Sequence, residues 1–118
     1  MDKPTIIYRK SSDAVPRIPA QEYVIKNFIT KDDLPDISIA TAQLSSSGIH
    51  EAMSNRSDRI YYFINASDCK ITFNGKATDI EPDSVLFIPK NTRYTLMGNF
   101  KALIINTPAF DKDKEVKI

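Results

Sequence analysis

Residues 71–96, ITFNGKATDIEPDSVLFIPKNTRYTL, decide the fold. The runs ITF and KAT flank Asn74-Gly75, a pair that tolerates the positive φ required at both central positions of a two-residue I′ hairpin turn. Glu81-Pro82-Asp83 then turns the chain into the apolar run Ser84–Ile88, which stops at Pro89, and a short turn leads into Arg93–Met97. Hairpin, Pro-Asp turn, apolar strand, turn, strand is the order of a small antiparallel barrel.

The rest of the chain agrees. Helical periodicity is nearly absent, whereas short runs rich in Ile, Val, Tyr, Phe and Thr recur between turn signals. Strands are expected at Thr5–Arg9, Glu22–Phe28, Ile37–Ser45, Arg59–Asn65, Cys69–Phe73, Lys76–Ile80, Ser84–Ile88, Arg93–Met97 and Phe100–Asn106. Ser45-Ser46-Ser47 before Gly48 reads as a strand end and loop. Pro16, Pro19 and Pro35 cannot donate to a sheet ladder, so residues 1–36 read as an N-terminal arm with edge strands, of the kind that crosses to a second subunit. Thr30-Lys31-Asp32-Asp33 alternatively carries one helical turn capped by Thr30. Residues 37–110 form the barrel core, and 111–118 a charged tail, with the chain at the surface after Pro108.

At 118 residues the chain fits one domain that buries roughly two thirds of its unfolded surface. A hydrophobic share of 42%, a charged share of 26% and a net charge of +1 supply no bulk field for nucleic acid or an anionic membrane. Cations and aromatics do interleave in RKSSDAVPRI and KNTRYTL, a composition able to touch phosphates, but the balanced charge makes them solvated surface cations and no nucleic-acid partner is expected. The single cysteine, Cys69, has no internal disulfide partner and reads as a small buried hydrophobe in a reducing compartment. No run approaches the ~18 apolar residues of a membrane helix, and the first ten residues lack a secretory core. A cytoplasmic protein with no membrane partner is the expectation. Three glycines leave little room for a phosphate-cradling loop, and no nucleophile motif occurs, which disfavours kinases, dehydrogenases and serine hydrolases.

The stretch 71–96 also resembles the second motif of the cupins, in which a glycine follows the strand-ending proline by two residues and a metal-binding histidine follows it by five; these positions hold Asn91 and Tyr94. Ile39–Ile64, IATAQLSSSGIHEAMSNRSDRIYYFI, is similar to the first cupin motif, and INTPAFDKDKE to the exit from the last strand. The resemblance covers about residues 37–110 and implies an all-β, single-domain cupin-type jelly-roll barrel. It also implies positions for two histidines and a glutamate that hold a divalent metal. With Arg59-Ile60-Tyr61-Tyr62 set on the family's Glu-apolar-aromatic-aromatic run, Arg59 takes the glutamate position and Met53 and Asn55 the histidine positions. Met, Asn, Arg and Tyr do not suit a first-row ion, and a guanidinium repels one, so neither a metal nor any other cofactor is expected.

Alternation that turns Arg59 inward also turns Tyr61 and Phe63 inward and sends Ile60, Tyr62 and Ile64 to the other face. Gln43, sharing a parity with Thr41 and Ser45, and Tyr94 from the opposite side complete the expected pocket. Its ligand-binding residues are Gln43, Met53, Asn55, Arg59, Tyr61 and Tyr94, with the Arg59 guanidinium and the Tyr94 phenol converging on one cavity. A guanidinium fork and orienting phenols suit a small polar or anionic ligand such as a carboxylate, sugar or sugar phosphate. In the competing reading Arg59 pairs with Asp58 or Glu51 at the rim and the tyrosines are core aromatics. His50, the only histidine, reads as a solvent-facing or locally bonded loop residue; a shifted loop would instead carry it with Glu51 to the barrel mouth, where it could act as a base opposite Tyr94.

Three functions remain open. The first is a metal-free cupin that binds a small polar ligand as a homodimer, formed through the arm and one sheet face. The second is a metal-dependent dioxygenase, decarboxylase or isomerase with an atypical set drawn from His50, Glu51, Met53 and Asn55. The third is an accessory or scaffold subunit similar to the cupin of the ethanolamine-utilisation pathway.

Overall fold

A computed structural model describes residues 6–20, 23–45, 49–111 and 113. Its strands are β1 (Val15–Ala20), β2 (Tyr23–Ile29), β3 (Ser38–Leu44), β4 (Ile49–Ala52), β5 (Asp58–Phe73), β6 (Lys76–Ile80), β7 (Ser84–Ile88) and β8 (Tyr94–Thr107). All pairings are antiparallel, in the order β1-β2-β3-β8-β5-β6, with β4 added to β8 and β7 to β5.

Two long strands make this ladder a jelly roll. The first half of β5 lies between β7 and the end of β8, where Arg59 is opposite both Ile88 and Asn106. Its second half lies between β6 and the start of β8, where Ile71 is opposite Thr78 and Leu96. β5 and β8 thus run through both walls of the barrel. They change wall at register breaks between Phe63 and Asn65 and between Ser67 and Lys70, where Asp68 has φ 49° and Gly98 φ 107°. A Cβ on Gly98 would sit 2.0 Å from the Asp68 carbonyl oxygen, so only glycine lets the two backbones cross this closely.

Sequence expectations separated Arg59–Asn65 from Cys69–Phe73 and Arg93–Met97 from Phe100–Asn106. Each pair is one continuous strand, because Ala66, Ser67 and Lys101 to Asn99 keep pairing through the bend. Ile6–Lys10 form no strand; Arg9 instead makes a paired ion bridge to Asp33, at 2.9 and 2.8 Å, and donates to the Phe28 carbonyl. Thr5 and Glu22 lie outside the described residues, as do Ser46, Ser47 and Gly48. Thr30–Asp33 is a hydrogen-bonded turn closed by the Thr30 N–H on Asp33 Oδ2, not a helix. The Asn74-Gly75 hairpin has the expected geometry, φ 55° and 78°, with Phe73 paired to Lys76. Asn91, at the glycine position of the second motif, has φ 66°, a conformation asparagine tolerates.

Parity decides the core. Tyr61 and Phe63 of β5, Tyr94, Leu96, Phe100, Ala102 and Ile104 of β8, and Ala42 and Leu44 of β3 fill the interior. The chain end also differs from expectation. Ala109 is buried, its N–H donating to the Pro35 carbonyl, and the Phe110 N–H donates to Ser38 Oγ, so these two apolar residues close over the barrel before the charged tail begins. No helix among the described residues is long and apolar enough to cross a membrane.

Candidate functional site

The interior is crossed by a hydrogen-bonded pillar. Arg59 and Tyr61 project inward from β5, and Tyr94 projects from the opposite wall, from the start of β8. The Arg59 Nε–H donates to Asn106 Oδ1 at 2.7 Å, its NH1 donates to the Tyr94 hydroxyl at 3.1 Å, and the Tyr94 and Tyr61 phenol oxygens are 2.5 Å apart. All four residues are buried. Burial and the neighbouring Tyr94 hold the Tyr61 phenol well above its ordinary pKa, so it stays protonated.

On one side of this pillar lies a chamber of about 240 Å³. Arg17 from β1, Tyr23 from β2, His50 from β4, Asn106 from β8 and Phe110 line it together with Arg59 and Tyr61. The Arg17 guanidinium carbon sits 4.8 Å from the Phe110 ring centre, and its buried Nε has no hydrogen-bond partner among the described residues. Burial and the Arg59 charge both lower the Arg17 pKa. His50 is stacked on Tyr23 with ring centres 4.3 Å apart. Burial, then Arg59, then Arg17 push its pKa down to about 4, so the ring is neutral near pH 7. Glu51, also on the rim, is tied to Arg93 at 3.6 Å.

The structure brings Arg59, Tyr61 and Tyr94 together and sets Met53 on the chamber rim. Asn55 is exposed in the loop between β4 and β5. Gln43 does not share the cavity: Ala42 and Leu44 take the inner parity of β3, opposite Ala102 and Phe100, which turns Thr41 and Gln43 outward. Gln43 borders a shallow cleft with Asn65 and Lys101 instead. His50 is not a loop residue. β4 pairs His50 with Leu96 and Ala52 with Tyr94, both buried, so His50 and Ala52, rather than Met53 and Asn55, present the inward parity of that strand. Arg59 donates to Asn106 and Tyr94 deep in the barrel.

Sequence reasoning missed Arg17, Tyr23, Asn106 and Phe110. Asn106 was visible as a polar residue on the otherwise apolar parity Phe100, Ala102, Ile104. Arg17, between Pro16 and Pro19, carried no such signal.

These residues do not fit a divalent metal. One neutral imidazole, three phenols, a rim carboxylate tied to Arg93 and two permanent cations form no donor set, and no group of three or more His, Cys, Asp or Glu among the described residues gathers around a point. What the arrangement offers is charge for an anion, phenol and imidazole groups for hydrogen bonds, and ring faces.

No family model and no curated protein matches the sequence. Solved structures do. Pac13 of Streptomyces, a nucleoside dehydratase, matches with a TM-score of 0.81 at 17% identity over 97% of this chain and 92% of its own. Forms of Pac13 with one histidine or either of two tyrosines replaced have been solved with uridine. KdgF from Halomonas sp. matches with a TM-score of 0.75 at 11% identity over 94% of this chain and 99% of its own. EutQ of Clostridium difficile matches with a TM-score of 0.65 at 18% identity over 74% of this chain and 63% of its own. Enzymes and EutQ share this architecture, so the likeness carries the fold and not an activity. By strand order, wall-crossing strands and these neighbours, the chain has the jelly-roll barrel fold of the cupin type.

Proposed function

We propose that the chain binds a small organic anion, a carboxylate or sugar phosphate, in the Arg17–Arg59 chamber without a metal. The observation that carries this reading is the convergence of two guanidiniums on one cavity of about 240 Å³, beside a His50 ring that burial first and then both charges keep neutral. Guanidinium forks match carboxylate and phosphate oxygens, and His50, Tyr23 and Phe110 supply ring faces for the remainder of the ligand. The test is thermal stabilisation by citrate, inorganic phosphate and ribose 5-phosphate. A concentration-dependent rise in Tm that disappears in Arg17→Gln is expected; no rise with any of the three, or an equal rise in the variant, overturns the reading. Iron, manganese, nickel or zinc at one equivalent in protein purified without chelator removes the metal-free part of it.

A second reading, acid–base catalysis on a sugar- or nucleoside-like substrate, is favoured by His50 and Tyr61. Both line the Arg17–Arg59 chamber, as a neutral base and a protonated phenol. The Pac13 forms altered at a histidine and two tyrosines add support by residue type. Deuterium incorporation into a sugar acid in D₂O, lost in His50→Gln, is the expected signature; its absence across sugar acids and nucleosides leaves binding alone.

The same proposal makes the chain a cytoplasmic homodimer. A single buried thiol supports the reducing compartment. An outer apolar face supports the dimer: Ile60 lies opposite Phe87 and Tyr62 opposite Val85, with Val85 67% and Phe87 57% exposed. Light scattering should give twice the chain mass, falling to one in Val85→Lys; a wild-type monomer contradicts it.

A further inference from the structure

The pillar has a second side. Among the described residues β6 pairs only with the end of β5, at Cys69–Phe73, and β7 only with its beginning, at Arg59–Phe63, so the two walls part between β6 and β7. There they enclose a cleft of about 490 Å³, larger than the anion chamber and backed by Tyr94, whereas Tyr61 backs the other chamber. Its walls are Ile71, Ile80, Leu86 and Ile88, and Phe73, more than half exposed, stands at its mouth. Its rim carries Lys76 and Glu81, with Asp79 ion-paired to Lys70 at 3.8 Å, and its lining holds no guanidinium.

We propose that this cleft is a second binding site, which takes an uncharged, mainly apolar small molecule with an aromatic or polycyclic body. The volume lies within the range of small-molecule sites. Apolar walls reward burial of apolar surface at ~25 cal/mol per Å². An organic anion finds no guanidinium among the lining residues, and a polyol would lose water against isoleucine and leucine with few partners in return. Phe73 presents a ring face to a flat ligand, and the Thr78 and Thr92 side chains offer hydroxyls to one carbonyl or hydroxyl on it. This site does not depend on the anion reading, because the pillar separates the two chambers.

The test is fluorescence titration of the full chain with N-phenyl-1-naphthylamine, an uncharged aromatic probe. One saturable, blue-shifted site per chain is expected. Thr78→Trp, at an exposed position on the β6 wall, should weaken it at least tenfold, as should Leu86→Trp from the β7 wall. Arg17→Gln and saturating phosphate should leave it unchanged. Circular dichroism and the melting transition establish that each variant is folded. The proposal is overturned by non-saturable binding, by wild-type affinity in a folded tryptophan variant, or by competition from phosphate. It is also overturned if the wild type is a dimer that both tryptophan variants dissociate, since the cleft is then a contact with a second copy.

Discussion

The phenol oxygens of Tyr61 and Tyr94 meet at 2.5 Å across the middle of the barrel, one from each wall, with Arg59 bonded to the second. Removing the Tyr94 hydroxyl takes a partner from two buried groups at once while leaving the ring in place. Tyr94→Phe should therefore lower stability by about 1–3 kcal/mol in urea denaturation. A change below about 0.5 kcal/mol would mean that the pillar adds nothing to the fold.

His50 should make stability depend on pH. Its folded pKa of about 4 lies below the ordinary 6.5, so between these values the unfolded chain binds the proton that the folded chain refuses. The contribution of the neutral ring is complete above about pH 6.5 and is lost as pH falls towards 4, by on the order of 2–3 kcal/mol. Tyr23, Arg17 and Arg59 surround the ring, and only His50 among them titrates in this window. The difference between melting curves of the wild type and His50→Phe, which keeps the stack on Tyr23, should follow that slope. Parallel curves from pH 4 to 7 would refute it.

Two glycines with positive φ should respond differently to alanine. Gly75 has open space around its missing Cβ, so Gly75→Ala pays only for its backbone conformation, about 1 kcal/mol. Gly98→Ala drives a methyl to 2.0 Å from the Asp68 carbonyl oxygen and should cost about 3 kcal/mol or more, or prevent folding. Equal effects of the two in denaturant titrations would argue against the close crossing of β5 and β8.

Cys69 is 3% exposed and burial pushes its thiol up to about 11. At pH 8 a chromogenic disulfide reagent should react with it only as fast as the barrel opens, and at once in denaturant. Stoichiometric labelling within seconds on folded protein would contradict this burial.

Short-range chemistry made much of the fold readable. Asn74-Gly75, the turn before Ser84 and the parity Arg59, Tyr61, Phe63 each depend on neighbours in sequence, and each is found where the residues put it. β4 was hidden because Ile49-His50-Glu51-Ala52 has no apolar alternation, and what makes it a strand is the far-off partner Tyr94–Met97. The unbroken lengths of β5 and β8 were hidden for the same reason. Asp68 and Gly98 look like loop residues, and only their meeting turns a break into a bend. In the site, Arg59, Tyr61 and Tyr94 were legible from parity and motif position. Gln43 was assigned to the cavity although the apolar parity Ala40, Ala42, Leu44 is the one that must go in, and Arg17 and Phe110 reach the chamber from opposite ends of the chain.

Because β5 and β8 belong to both walls, neither wall is a folding unit in its own right. β3, β4, β6 and β7 each dock on one of these two, β2 and β1 follow on β3, and the mutual pairing of β5 and β8 joins residues as far apart as Asp58 and Thr107. Such distant closure is slow, on a scale of milliseconds to seconds, and it commits the whole chain together. A chain still lacking its last dozen described residues has therefore no partial barrel to rest in.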